Sequence, residues 1–170
     1  MKVSDAIAEF LAQHVKHVFC ISGGASLHLI HSIAIRNDIS YVCPQHEQSA
    51  GFMADAYARS NGLGVAMATS GPGASNFATP ILAAWNDSIP VLFITGNQTR
   101  ERLSDYGTRG YGFQASNVVR RHLHELKYAR QVAEPNEVLD ALKTAIRLAT
   151  KGRRGPVLID IPDDIQRAQC

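Results

Sequence analysis

Apolar runs open near Val18, Tyr41, Val65 and Val91, about two dozen residues apart, and the segments between them repeat apolar side chains every three to four positions. That interval accommodates one strand, one helix and two short loops. The runs HVFCI (17–21), SYVCP (40–44), GVAMATS (64–70), IPVLFITG (89–96) and GPVLIDIP (155–162) do not alternate with polar residues. Each therefore predicts a strand buried on both faces, and 128–132 predicts a weaker one. Uniform strands at this period imply an α/β fold with a parallel sheet and helices on both faces.

The helices follow from capping residues and periodicity. Ser4 is placed to cap a first helix with Ile7, Phe10 and Leu11 on one face and Ala6 beside them. Ser26 is placed to cap a second, running to about residue 36, with Leu27, Ile30 and Ile33 or Ala34 inward. After Pro44, the stretch HEQSAGFMADAYAR (46–59) puts Glu47 at or near a helix start. Ala50, Ala54, Ala56 and Ala58 suit its interior, and Asn61 and Gly62 stop it. GPGASN (71–76) predicts a turn, followed by a helix to about residue 86 that carries Ile81, Leu82 and Trp85. From 97 to 117 the period breaks, as Gly107, Gly110 and Gly112 interleave with Tyr106, Tyr111 and Phe113. Such a stretch is either a functional loop or a surface excursion. A short helix precedes 128–132. Beyond Pro135, the positions Val138, Leu139, Leu142, Ala145, Ile146 and Ala149 form one apolar stripe, with Gly152 as its C-cap.

Composition narrows the function more than the fold. A chain of 170 residues, 45% hydrophobic and 19% charged, predicts one globular domain without structural disulfides or metal. A net charge of +2 with dispersed basic residues gives no nucleic-acid signal, and the run Arg120, Arg121, His122 reads as solvated surface. No stretch reaches membrane-spanning length. Cys20, Cys43 and Cys170 lack CxxC spacing and read as reduced core residues of a cytoplasmic protein.

Few constellations carry chemistry. GPGASN after a strand and before a helix suits either a phosphate-cradling turn or a tight packing turn, but the dinucleotide fingerprint's third glycine is Asn76, and no ribose-binding acid follows. His28 with His31, and His122 with His124, have no Cys or carboxylate partner at ligand spacing, so no metal site is predicted. His46-Glu47 is not HExxH, and Ser70 is not in GxSxG. Glu47 is either a catalytic carboxylate or an acid favoured by the helix dipole.

Taken together, the SGG loop, HEQ with ADAYAR, TSGPGASN, PVLFITG, FQ and GPVLIDIPDDIQ resemble the pyrimidine-binding domain of thiamine diphosphate-dependent enzymes, in particular the acetolactate synthase group. The resemblance covers essentially the whole chain. It implies a six-stranded parallel sheet with helices on both faces, and it implies that Glu47 bonds N1′ of the cofactor's aminopyrimidine and relays a proton during decarboxylation or carboligation of a 2-oxo acid. By the same likeness, Gly23 and Gly24 form a backbone turn near the site, and Thr69, Gly71, Pro72, Gly73 and Asn76 pack around the pyrimidine. Gln114 reaches toward cofactor or substrate. Ala50, Gly51 and Ala54 would let the Glu47 helix approach a partner subunit in a homo-dimer or tetramer.

The chain departs from the family pattern in two places, with Ser22-Gly23-Gly24 for Pro-Gly-Gly and Phe113-Gln114-Ala115-Ser116-Asn117 after the long loop. Nothing resembles the GDG motif that holds Mg2+ and the diphosphate. The expectation is an N-terminal domain (1–170) of a longer enzyme, with a diphosphate-binding domain in the same or a second chain. The alternatives are the small subunit of a two-chain decarboxylase and a non-catalytic assembly module.

Overall fold

The computed structural model describes residues 1–103 and 112–170. Its elements run α1 (Val3–Ala12), β1 (His17–Cys20), α2 (Leu27–Ala34), β2 (Ser40–Val42), α3 (Glu47–Asn61), β3 (Gly64–Ala68), α4 (Gly71–Ser75), α5 (Ala78–Asp87), β4 (Val91–Asn97), α6 (Val118–Arg121), β5 (Tyr128–Gln131), α7 (Val138–Thr150), β6 (Val157–Pro162) and α8 (Asp163–Arg167). The strands form a six-stranded sheet in the order β2-β1-β3-β4-β6-β5, and every pairing is parallel.

Successive residues of the central strands feed two separate cores. Val65 and Met67 of β3, Leu92 and Ile94 of β4, and Val157, Ile159 and Ile161 of β6 pack with Ile7, Leu11, Leu29 and Leu142 from α1, α2 and α7. Ala66, Ala68, Phe93 and Leu158 pack on the opposite face with Ala54, Ala58, Ile81 and Ala84 from α3 and α5. Burial on both faces removes the alternation a one-sided sheet would show, which is why the strands read as unbroken apolar runs.

Several expectations are corrected. β2 is an edge strand exposed at all three positions, not a buried one, because only β1 flanks it. Lys2, not Ser4, stands at the α1 N-cap. Ser4 is buried in the first turn, where its Oγ accepts a 2.9 Å bond from Ser32 Oγ. Ser26 does precede α2, but its hydroxyl donates back to the Gly23 carbonyl instead of capping, and α2 ends at Ala34. Leu27 is 54% exposed, and Leu29 takes the inward position. Of the three cysteines only Cys20 is in the core, since Cys43 follows the exposed edge strand and Cys170 is terminal. His122 is buried, so the basic run is not wholly solvated. Burial lowers its pKa, and its Nε2 lacks a partner among the described residues.

The turn expected at 71–76 is largely helical, as α4. The irregular stretch expected at 97–117 includes a 3-10 turn at Arg100–Leu103 and the non-regular residues 112–117. The alternation at Tyr106, Gly107, Gly110 and Tyr111 lies outside the described residues. No helix among the described residues is long and apolar enough to cross a membrane.

Candidate functional site

Except for Gln114, which lies between β4 and α6, the candidate residues collect at the carboxyl ends of β1, β2 and β3. From β1 the chain steps outward to β2, then returns past β1 to β3, so the strand order reverses between β1 and β3. Crevices for ligands in open parallel sheets form at such a reversal. The loop after β1 and the loop after β3 are pressed together there. A Cβ on Gly23 would lie 2.5 Å from Thr69 Cβ, and Thr69 Oγ1 accepts a 3.2 Å bond from the Ala25 amide. Gly23 has extended backbone, so this close approach, not its torsion, calls for glycine.

Glu47 opens α3, as its sequence position predicts. His46 is the N-cap, and its Nδ1 accepts a 3.1 Å bond from the Gln48 amide. The N-terminal dipole of this fifteen-residue helix favours a carboxylate at Glu47. Glu47 is half-buried, and its Oε2 accepts a 2.8 Å bond from Asn76 Nδ2. On its other side, a Cβ on Gly73 would meet Glu47 Oε1 at 3.2 Å and Thr69 Cγ2 at 2.8 Å. One carboxylate oxygen is thus held by Asn76 while the other borders the bare backbone of Gly73.

The remaining candidates form a second group. Gly71 has φ +20°, and a side chain there would strike the backbone carbonyl of Gln114. Gln114 itself has φ +55° and an exposed side chain. Pro72 is exposed at the start of α4, and Gly24 has open space around it. A cleft of about 470 Å³ is lined by Gly24, Thr69, Arg102, Phe113 and Gln114 among others. Glu47 is outside this lining, so Thr69 is the residue common to the cleft and the Glu47 cluster.

The small side chains of α3 have a different role from the one expected. Ala50 and Ala54 are fully buried within the chain, and a Cβ on Gly51 would meet the Pro80 ring at 2.5 Å. They admit α3 to its own sheet and to α5, leaving Phe52 and Met53 on the outer face. Arg59 strengthens that internal packing, donating 2.6 Å bonds to Asp55 of α3 and to Asp87 of α5.

Asp160 on β6 was missed by reading its strand only as an apolar run. It is fully buried and accepts bonds from Thr95 Oγ1 at 2.6 Å, Asn97 Nδ2 at 2.7 Å and Gln131 Nε2 at 2.6 Å. Asn97 Nδ2 also donates 2.9 Å to the Ser116 carbonyl, two residues beyond Gln114. The network therefore anchors the segment that carries Gln114 to the centre of the sheet. Burial pushes the Asp160 carboxyl up to about 6, against the lowering effect of its three donors. The detectable signal was one acid inside an otherwise apolar strand. Among the described residues, no group of three or more His, Cys, Asp or Glu is placed to hold a metal ion.

Residues 1–126 match the family model of the thiamine pyrophosphate enzyme, N-terminal TPP binding domain. The chain belongs to this family. It is 41% identical over 169 residues to the acetolactate synthase of Arthrospira platensis, covering 96% of this chain and 28% of that protein. It is also 41% identical over 153 residues to the acetolactate synthase large subunit of Corynebacterium glutamicum, covering 89% and 24%. The probable acetolactate synthase large subunit of Methanocaldococcus jannaschii is 36% identical over 168 residues, covering 98% and 27%. The chain spans about a quarter of the length of these relatives. The parallel sheet of this TPP-binding domain is the fold its sequence pattern implies.

Proposed function

We propose that this chain forms the aminopyrimidine half of a thiamine diphosphate site in a 2-oxo acid decarboxylase or carboligase of the acetolactate synthase kind. The observation that carries the reading is the Glu47 carboxylate, fixed by Asn76 on one oxygen and bordered by Gly73 on the other. The residues present fit the group: a flat heteroaromatic ring with a basic nitrogen requires a carboxyl oxygen with no side chain over it, and Gly73 leaves one.

Bound thiamine diphosphate would supply the electron sink for loss of CO2 from a 2-oxo acid. Glu47 would hold the proton shared with the pyrimidine N1′ on Oε1, because Oε2 is engaged by Asn76. Asn76 would orient the carboxyl. Gly23 and Thr69 would close the turn beside it, and Gly71, Pro72 and α4 would set the position of Asn76. Gln114 and Gly24 would line the approach to the substrate.

The activity is proposed to belong to a longer enzyme of which residues 1–170 form the N-terminal pyrimidine-binding domain, a reading supported by the share of the relatives' length that the chain covers. A diphosphate-binding domain, in the same or a second chain, would hold Mg2+ and the diphosphate. A second subunit would meet α3 through its outer face, where Phe52 and Met53 are exposed. A cytoplasmic setting suits the three free thiols.

The test is Glu47→Gln in the chain combined with a diphosphate-binding domain, assayed for 2-oxo acid decarboxylation with saturating thiamine diphosphate and Mg2+. Turnover is expected to fall by about 10²- to 10⁴-fold, the range for loss of a positioned proton carrier. Undiminished turnover would sink the proposal.

A further inference from the structure

Two of the three cysteines face each other across the edge of the sheet. β1 and β2 pair with Val18 opposite Tyr41 and Phe19 opposite Val42, so the same register sets Cys20 and Cys43 opposite each other one step past the end of the ladder. Neighbouring strands lie about 4.8 Å apart, within the Cα separation of roughly 4.4–6.8 Å that a disulfide spans. Opposed residues also direct their side chains to the same face, and here the two sulfurs are 3.9 Å apart. Both thiols are free, with Cys20 fully buried and Cys43 exposed.

We infer that Cys20 and Cys43 form a reversible redox-active dithiol that reacts with low-molecular-weight disulfides of the glutathione type. Exposure makes Cys43 the thiol that an incoming disulfide reaches. Its thiolate attacks one sulfur of the small disulfide, whose S–S bond breaks and releases one small thiol after protonation. Cys20 then gives up its proton and attacks Cys43 Sγ, breaking the mixed disulfide and releasing the second small thiol. The protein loses two protons and two electrons, and one small disulfide becomes two thiols. Burial pushes the Cys20 thiol up to about 12, which makes this second step the slow one. Closure draws the sulfurs from 3.9 Å to about 2.0 Å, a small movement for an exposed strand end. This inference is independent of the cofactor reading.

The experiment equilibrates the purified native protein in buffers of graded oxidised-to-reduced glutathione ratio, quenches with an alkylating agent, and maps peptides by mass spectrometry. Expected is the joint loss of alkylation at Cys20 and Cys43, a linked peptide pair lighter by two hydrogens, and full return under excess reduced glutathione, with Cys170 outside the link. Cys43→Ser is expected to leave Cys20 fully alkylatable once the protein is unfolded after quenching. In Cys20→Ala, the reaction is expected to stop at a glutathione adduct on Cys43. Full alkylation of both residues in the wild type at the most oxidising ratio would overturn the inference. So would a glutathione adduct on Cys43 that never resolves, or a link made through Cys170.

Discussion

Asn76 Nδ2 donates a 2.8 Å hydrogen bond to Glu47 Oε2, joining the end of α4 to the first residue of α3. Under the proposed function this bond selects which carboxyl oxygen is left for the proton. A hydrogen bond to a charged group contributes about 1.5–3 kcal/mol, equivalent to roughly ten- to a hundredfold in rate if all of it acts on orientation. Asn76→Ala is expected to lower kcat of the assembled enzyme by that factor while its melting temperature moves little. A melting temperature that collapses with activity would instead make Asn76 a structural residue.

The glycines of the site separate packing from ligand space. Gly23→Ala brings a methyl group against Thr69 at 2.5 Å, so a loss of about 1–3 kcal/mol is expected in urea unfolding. Gly24→Ala meets nothing within 4 Å and should leave that stability unchanged. Equal losses in the two variants would contradict this placement.

Gly73→Ala is expected to act on binding. Its methyl would lie 3.2 Å from Glu47 Oε1, where the pyrimidine ring is proposed to approach, and 2.8 Å from Thr69 Cγ2, so some loss of stability in urea unfolding is expected beside the loss of affinity. Thiamine diphosphate affinity, followed by titration of the assembled enzyme, should weaken at least about tenfold. Unchanged affinity would move the ring elsewhere.

Asp160 gives a pH signature of stability. Its folded carboxyl binds protons up to about pH 6, above its ordinary value of 3.8. The folded state therefore holds the proton where the unfolded state has lost it. The group's stabilising contribution is complete below the unfolded value and disappears as pH rises through the folded one. In urea unfolding, the stability of wild type relative to Asp160→Asn should decline between about pH 4 and 6 and level off above. A difference that is constant across this window would show that Asp160 does not titrate there.

Phe52 and Met53 test the partner face. They are 42% and 40% exposed on α3 although the inner residues of the same helix are fully buried. Phe52→Glu combined with Met53→Lys should shift sedimentation of the assembled enzyme toward single protomers without loss of secondary structure. An unchanged sedimentation profile would place the interface elsewhere.

The strand and helix segments were legible because burial on both faces writes a two-sided signature: long apolar runs at a fixed interval. The place of Glu47 at a helix start was legible because Pro44 closes an apolar run and Ala-rich residues begin a helix. What escaped depended on lateral neighbours. SYVCP has the same apolar character as a central strand, and nothing local reveals that β2 has a partner on one side only. The Asp160 network joins β4, β5 and β6 across 29 to 65 positions, beyond the reach of periodicity. Likewise Ala50, Gly51 and Ala54 announced a close approach but not its object, which proved to be the chain's own sheet and α5.

The brevity of β2 has a consequence for solubility. An edge strand offers unpaired backbone groups to any passing chain, and long flat edges template aggregation. Here only Ser40 to Val42 present that ladder, and Pro44 soon follows with no N–H to extend it. This edge is too short to recruit a seventh strand, so the β2 side of the sheet is protected from edge-to-edge growth by stopping early.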